Sequence, residues 1–212
     1  MSGGRVRNPD PHDELPLWLW RTVIGGFIAV LVTIGIVLAL ALAGTFDPKP
    51  VGDLVLDSAP ASASRLDARG MVSNPAGITL HAPGTVEATV RVIEGPPTTY
   101  NGVELTGPGG RIVVMVNGDG YMRVSADPEA TLQTLAEWAT RWPHIHPPGE
   151  PNVLRIDLSE QGVTVRINDE VALAGAPLPL GGVWTLNVVG VSIGEAARIQ
   201  LERVRVWQED AP

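Results

Sequence analysis

The hydrophobic positions divide this chain into one long uninterrupted apolar run and many short alternating segments. The run extends from Thr22 to Phe46 and contains no charged residue, no Asn, Gln or His, and no Pro. A helix rises about 1.5 Å per residue, so this run exceeds the roughly 30 Å of a membrane hydrocarbon core. The pattern predicts a polar tail over residues 1–16 and a transmembrane helix over residues 17–46.

The residues just before the apolar run are typical of a membrane interface. Trp18, Trp20 and Arg21 stand at the predicted entry point, where indole rings and a snorkelling Arg favour the headgroup level. The alternative is a cleaved signal peptide, with Ala41-Leu42-Ala43 as its cleavage-like site. The run is longer than a typical signal h-region, which favours an uncleaved anchor in the lipid bilayer.

Charge around the span predicts its direction. Arg5, Arg7 and Arg21 precede it, whereas only Lys49 follows closely. By the positive-inside rule, the N-terminus faces the cytoplasm. We therefore expect a single-pass protein of a bacterial cytoplasmic membrane, with its C-terminal body on the periplasmic or extracellular side.

Small residues fall on one half of the predicted helix. At 100° per residue they form two small-xxx-small runs, which allow close approach of a second helix. The predicted packing positions are Gly25, Ala29, Gly35, Ala39 and Ala43. Gly and Ala are also common in membrane helices generally, so the pattern is equally compatible with a plain anchor.

Beyond the span, the hydrophobic period changes from helical to alternating. Residues 47–64 form a Pro/Ala/Ser-rich connector, in which Val51–Leu56 could be a first strand. Residues 65–209 form the exported body. Thr85–Ile93 alternates apolar and polar positions, and Asn117-Gly118-Asp119-Gly120 is a strong hairpin signal because these residues tolerate positive φ.

The body contains further short apolar segments separated by turn residues. Ile199 and Leu201 share one parity and Val204 and Val206 the other, which predicts a β-bulge near Glu202-Arg203. Asp127–Trp142 interrupts the pattern and fits a short helix or a long ordered loop. Turns every 8–12 residues predict a mainly β fold, an antiparallel jelly-roll β-sandwich preceded by one transmembrane helix. The other predicted strands are Val103–Leu105, Arg111–Val116, Tyr121–Val124, Val153–Leu158, Val163–Ile167, Val171–Ala174 and Val183–Val191.

The order of these segments resembles the concanavalin A-like lectin/glucanase (LamG-like) sandwich. The matching residues are Tyr100–Leu105, Arg111–Val124, Asn152–Ile156, Val163–Leu173 and Ile199–Trp207, about half the chain. Asn168-Asp169 stands where this family usually has Asn-Gly, and Leu201-Glu202 where it usually has Phe-Asp. The resemblance implies a jelly-roll sandwich on a bacterial membrane anchor. Members bind glycans, hydrolyse them or only mediate contacts.

Composition excludes several function classes. The chain has no Cys, which excludes disulfides, thiolate zinc sites, iron–sulfur clusters and c-type haem attachment. Beyond residue 46 the chain holds 12 basic and 20 acidic residues, a balance that disfavours nucleic acid as a partner. No flavin fingerprint or P-loop is present, so we expect no cofactor.

Candidate chemistry in the body is sparse. The Glu-x-Asp-x-x-Glu pattern of glucanases is missing, and glycoside hydrolysis needs two carboxylates that flank the bond. His144 and His146 form only a weak two-ligand metal signal. Trp138 and Trp142 lie outside the regular strands and are the predicted surface contacts, toward sugar or protein, whereas Trp184 and Trp207 are predicted core residues.

These observations lead to an ordered set of functional expectations. The first is a non-catalytic docking module, an accessory subunit of a respiratory or photosynthetic membrane complex held by other integral membrane subunits. The second is a membrane-anchored glycan- or cell-wall-binding module, and the third is a glycoside hydrolase. We expect no catalytic, cofactor or metal residues under the first.

Overall fold

The computed structural model of the protein describes residues 17–42, 48–60, 62–127, 140–179 and 181–209. The chain separates into two compact units, residues 1–49 and residues 50–212. The predicted tail, Ala43 and Trp138 lie outside the described residues, as does most of the segment expected to be a helix or loop.

The first unit contains helix α1, Leu17–Leu42, which is about 39 Å long. Residues 18–40 are apolar enough to cross a membrane, and none of them is buried inside the protein. The two hydroxyls of this stretch are satisfied within the helix, Thr22 donating to the carbonyl of Trp18 and Thr33 to that of Ala29. The helix is thus consistent with a single-pass membrane anchor, as the apolar run predicts.

The second unit is built from antiparallel strands. The strands in the described part of the chain are β1 Asp53–Ser58, β2 Ser62–Leu66, β3 Met71–His81, β4 Gly84–Glu94, β5 Tyr100–Gly107, β6 Gly110–Asn117, β7 Tyr121–Asp127, β8 Thr140–Arg141, β9 Asn152–Ser159, β10 Gly162–Ile167, β11 Glu170–Ala176, β12 Val183–Val191 and β13 Ala197–Gln208.

The strands form two antiparallel sheets. One, which we name the front sheet, has the order β3-β12-β5-β6-β7-β8 among the described residues. The other, the back sheet, has the order β1-β13-β4-β9-β10-β11, with β2 pairing beside β1 on β13. The mainly β sandwich predicted by the alternating segments is confirmed.

Alternation along the strands places the core between the sheets. The front sheet contributes Val103 and Leu105 from β5 and Trp184 from β12, and the back sheet contributes Val86 from β4 and Ile156 from β9; all are at most 1% exposed. The prediction that Trp184 is a core residue is confirmed. Trp207 was placed wrongly, since Val206 fills the core and Trp207 lies half-buried on the opposite face of β13.

Local sequence signals correctly indicated several irregularities. The register of β13 on β4 shifts between Leu201 and Arg203, which confirms the predicted bulge. The Asn117–Gly120 hairpin joins β6 to β7, and residues 168–169 join β10 to β11. Strands β2 and β3 were missed. Pro75 and Gly77 break the apolar pattern of β3, and an edge strand tolerates both.

Candidate functional site

The most chemically organised surface of the sandwich is the outer face of the front sheet, which we name the front face. It consists of the side chains that alternate with the core positions on these strands. On β5 the core takes Val103 and Leu105, so Glu104 and Thr106 lie on the front face. Glu104 is the centre of a polar cluster there.

The Glu104 carboxylate is withdrawn from solvent, with its side chain 1% exposed. Arg111 Nε on β6 lies 2.9 Å from Glu104 Oε1, and the hydroxyl of Thr106 donates to the same oxygen at 2.9 Å. The hydroxyl of Ser73 on β3 donates to Oε2 at 3.4 Å. Three strands therefore supply donors to one buried carboxylate, and these charge-assisted contacts fix its position.

The donors around Glu104 reach the solvent although the carboxylate does not. Ser73 and Thr106 are exposed, and the Arg111 side chain is 32% exposed. In the sheet register, Asn187 on β12 lies directly opposite Glu104, and Thr185 lies opposite Thr106. Hydroxyl, amide and guanidinium groups thus surround the carboxylate at the boundary with solvent. We name Ser73, Glu104, Thr106, Arg111 and Asn187 the Glu104 site.

An apolar and aromatic floor continues the front face beyond the Glu104 site. Val113, Met115 and Val189 are fully buried there, and Tyr100 is 4% exposed. Arg123 on β7 places its guanidinium carbon 4.2 Å from the centroid of the Tyr100 ring. The front face therefore continues from the polar Glu104 site into buried apolar side chains and a Tyr ring that a guanidinium covers.

A second acidic position shares this face. Met122 and Val124 of β7 point to the core, which assigns the alternate backbone positions of β7, including Asp127, to the front face. Asp127 lies opposite Arg111 in the β6–β7 register. By register, the backbone positions of Glu104 and Asp127 are two strands apart.

The outer face of the back sheet differs because its charges neutralise one another. Asp157 accepts from Arg155 Nε at 2.8 Å and from the Thr85 hydroxyl at 2.7 Å. Arg91 pairs with Glu202 at 2.8 Å, and Arg205 pairs with Glu87. Arg91 and Glu202 are partly exposed, whereas Arg155 and Asp157 are at most 9% exposed, so this face holds a buried cluster whose charges are paired within it.

The residues predicted as functional from the sequence lie away from the Glu104 site. Trp142 is half-buried against the core cluster, its backbone N–H donates to the Gly120 carbonyl at 2.7 Å, and its ring meets that of His144 edge-on. A contact role for Trp142 stays a prediction, as does that of Trp138. His146 Nδ1 lies 2.7 Å from the Pro151 carbonyl. Within the described residues no three His, Asp or Glu side chains form a group that could hold a metal.

The helix predictions are likewise untested. Gly25, Ala29, Gly35 and Ala39 are exposed on α1, and no atom lies within 4 Å of the Cβ position built on Gly25 or Gly35. Trp18 and Trp20 are 66% and 51% exposed at the start of the helix, and Arg21 is exposed beside them. Helix packing and interface anchoring stay predictions for these residues.

Sequence reasoning missed Glu104, Arg111 and Arg123. Each alternates with apolar residues on a strand, a pattern that ordinarily marks a solvent-facing side chain. Whether the sheet face opposite the core is buried depends on how the strands assemble. The alternation of apolar and polar residues along one strand does not show this. The available signal was the Val-Glu-Leu-Thr segment, which places an acid within a strand of otherwise apolar neighbours.

Comparison with known proteins supports the fold. No protein-family model and no curated protein sequence matches the chain. Among solved structures, Crh5 transglycosylase in complex with NAG is similar with a TM-score of 0.52 and 11% identity, over 76% of this chain and 88% of that one. Apo Crh5 transglycosylase gives 0.51 and 14% over the same shares. The laminarinase catalytic domain from Thermotoga petrophila gives 0.47 and 12%, over 67% and 69%.

At these identities the likeness establishes the fold. The body is a concanavalin-like jelly-roll sandwich of the kind found in glycoside hydrolases and lyases, and the resemblance stated from the sequence is confirmed. Half of the chain carried that resemblance through its core positions and turns. The structure extends it to strands that precede Tyr100.

Two functional expectations are wrong and are corrected here. The chain was expected to be a non-catalytic accessory subunit of a respiratory or photosynthetic complex, and not an enzyme. The solved structures that are similar with TM-scores above 0.5 are instead those of an enzyme, Crh5 transglycosylase. The expectation rested on the missing Glu-x-Asp-x-x-Glu pattern. The sequence of one strand cannot show that acidic residues from separate strands lie on a common face.

Proposed function

We propose that this chain is a membrane-anchored glycan-processing enzyme whose saccharide site is the front face, centred on Glu104. The observation that carries the proposal is the buried Glu104 carboxylate, held by Arg111, Thr106 and Ser73 at the edge of solvent. Burying a charged group lowers the stability of the folded state, because the charge is removed from water. Buried charges held by donors from several strands are most often found at functional sites. The transglycosylase fold of Crh5 supports a saccharide as the ligand.

The composition of the site suits a sugar. Hydroxyl groups of a saccharide both donate and accept hydrogen bonds, and the Glu104 site offers hydroxyls, an amide and a guanidinium to meet them. The Tyr100 ring lies further along the same face. A saccharide lying across strands β12, β5 and β6 would contact the polar groups.

The proposed chemistry is cleavage or transfer at a glycosidic bond by two carboxylates. One carboxyl group protonates the leaving oxygen, and the other activates water or attacks the sugar carbon. We assign the second role to Glu104, since both of its oxygens already accept hydrogen bonds, from a guanidinium and two hydroxyls.

The proposed location is the outer surface of a cytoplasmic membrane. Arg5, Arg7 and Arg21 before the helix, against Lys49 after it, favour a cytoplasmic N-terminus. The substrate would then be a glycan of the envelope or the surroundings. Protease added to intact cells should digest the body and spare an N-terminal tag; digestion of the tag would reverse the orientation.

The decisive experiment uses the full chain in mild detergent with a panel of oligosaccharides that includes β-1,3-glucan and N-acetylglucosamine oligomers. Products are identified by mass spectrometry and binding is measured by calorimetry. Glu104→Gln should reduce turnover by about 10²–10⁴-fold, the usual contribution of one positioned acid or base, while a substrate still binds.

The matched control is Glu170→Gln, which removes an exposed carboxylate at the β10–β11 turn. It should leave turnover and binding unchanged. Loss of turnover in Glu170→Gln equal to that in Glu104→Gln, or full turnover in Glu104→Gln, would remove Glu104 from the proposal. Absence of both binding and turnover across the panel would overturn the glycan assignment itself.

A further inference from the structure

The front face contains a buried cation, Arg123, that has no acidic partner among the described residues. Arg123 is 6% exposed, and its guanidinium lies over the Tyr100 ring at 4.2 Å from the guanidinium carbon to the ring centroid. Its Nε is buried and has no hydrogen-bond partner. Among the residues that the structure describes, no carboxylate lies within ion-pair distance of Arg123.

Arg123 differs in this respect from the other arginines of low exposure. The other arginines of low exposure on the sandwich, Arg155 and Arg166, both face Asp157, and Arg205 pairs with Glu87. Withdrawing a guanidinium from water without a counter-charge is costly, and the contact with a Tyr ring offsets only part of that cost. The unpaired cation therefore points to an anion that joins it when the site is occupied.

The charge of the front face contrasts with that of the whole body. The body is acidic overall, yet Arg111, Arg123 and Arg141 lie on the front face, with Arg141 opposite Tyr121 in the β7–β8 register. Arg111 pairs with Glu104, so the cations of Arg123 and Arg141 give this face a positive charge that attracts anionic ligands. Nucleic acid does not fit, since it would meet the repulsion of the acidic remainder.

We propose that Arg123 and Tyr100 form an anion subsite that binds the carboxylate of a uronic-acid residue, so that the substrate class is an acidic glycan. The proposal rests on the function proposed for the Glu104 site. With one face of the guanidinium over the Tyr100 ring, its N–H edge matches the two oxygens of a planar carboxylate.

The subsite is placed to bind a sugar residue of the same oligosaccharide whose glycosidic bond contacts Glu104. In register, Arg123 lies opposite Met115 on β6, and Met115 lies opposite Gly102 on β5, two residues from Glu104. At about 4.8 Å between strands and about 3.4 Å per residue, the Arg123 and Glu104 backbone positions are about 12 Å apart. That distance separates the subsite from the sugar unit being cleaved.

The test compares one oligosaccharide with and without its charge. Galacturonate tetramer and its fully methyl-esterified, neutral form are titrated calorimetrically into the full chain in detergent, at two salt concentrations. The acid should bind at least about 10-fold more tightly than the ester, and the difference should shrink at high salt, as an ion pair requires. Arg123→Gln should abolish the difference, Arg123→Lys should retain part of it, and Arg198→Gln on the other sheet should retain all of it.

The outcomes separate this inference from the proposal on which it rests. Equal binding of acid and ester by the unaltered protein would overturn the anion subsite and leave the Glu104 site intact. Failure of the uronate and of every neutral glycan in the panel to bind would overturn both. The Arg123→Gln variant is first shown to be folded by thermal unfolding. If it still prefers the acid, the anion binds elsewhere than at Arg123.

Discussion

The backbone of Gly107 packs directly on the ring of Trp184. A Cβ atom at Gly107 would stand 2.4 Å from Cδ2 of that indole, and Trp184 is fully buried between the sheets. Gly107→Ala should therefore lower the free energy of unfolding by about 1–3 kcal/mol, because the ring cannot yield without disturbing the core. Urea unfolding followed by Trp fluorescence measures this directly. Gly181→Ala, with no atom within 4 Å of the new methyl, is the control and should change little.

How much of this architecture the sequence reveals depends on how local each signal is. The residues 117–120 turn and the bulge at Glu202 were predictable because turn chemistry and strand parity are properties of a few neighbouring residues. Strand β3 was not predictable, because Pro75 and Gly77 interrupt its apolar pattern. Both residues are tolerated there because β3 is an edge strand. The Glu104 site was least predictable, because Ser73, Glu104 and Arg111 meet only through the order β3-β12-β5-β6.

The turn between β10 and β11 should respond in opposite ways at its two central residues. Asn168 and Asp169 both have positive φ, of 50° and 69°. Asp169→Gly should stabilise by about 0.5–1 kcal/mol, since Gly adopts this conformation without strain. Asn168→Gly should destabilise by about 1–3 kcal/mol, because its amide accepts from Val153 N–H at 2.8 Å and donates to the His144 carbonyl at 2.7 Å. Thermal unfolding of both variants checks the pair, and the same sign for both would contradict it.

The ion pair between β1 and β13 should make stability depend on pH. Arg203 Nε donates to Asp57 Oδ1 at 2.7 Å, and this hydrogen bond holds the pKa of the Asp57 carboxyl below its ordinary value. Because the folded pKa is the lower one, the contribution of the pair is present above the ordinary carboxyl pKa of about 4 and is lost as pH falls through the folded value. The expected effect is small at this exposed site.

Substitution of that carboxyl provides the measurement. Asp57→Asn should flatten the loss of stability below about pH 4 relative to the unaltered protein, as followed by urea unfolding between pH 2 and pH 7. Asp53→Asn, which alters an exposed carboxyl on the same strand, is the control. An identical acid limb for Asp57→Asn and the unaltered chain would show that the pair contributes nothing.

A charge in the middle of α1 should impair membrane insertion. Val30 lies near the centre of the apolar stretch and is exposed. Val30→Arg should cost about 2.5–3.5 kcal/mol of apparent insertion free energy. The measurement is the fraction of chain that remains with membranes after alkaline extraction. Val55→Arg, at an exposed position on β1, should remain with the membranes like the unaltered protein. Full retention of Val30→Arg would argue against a spanning helix.

The Glu104–Arg111 pair should show an asymmetry that follows from burial. The Glu104 side chain is 1% exposed and that of Arg111 is 32% exposed. Arg111→Gln leaves a buried carboxylate without its counter-charge, and we expect a loss of about 3–5 kcal/mol of stability. Glu104→Gln leaves a cation that solvent already reaches, and the neutral amide can still accept from Thr106, so about 1–2 kcal/mol is expected. The double variant should be more stable than Arg111→Gln alone, because it no longer buries an unpaired charge. Urea unfolding of all four proteins completes the cycle, and a double variant less stable than Arg111→Gln would mean that Glu104 is stabilised chiefly by groups other than Arg111.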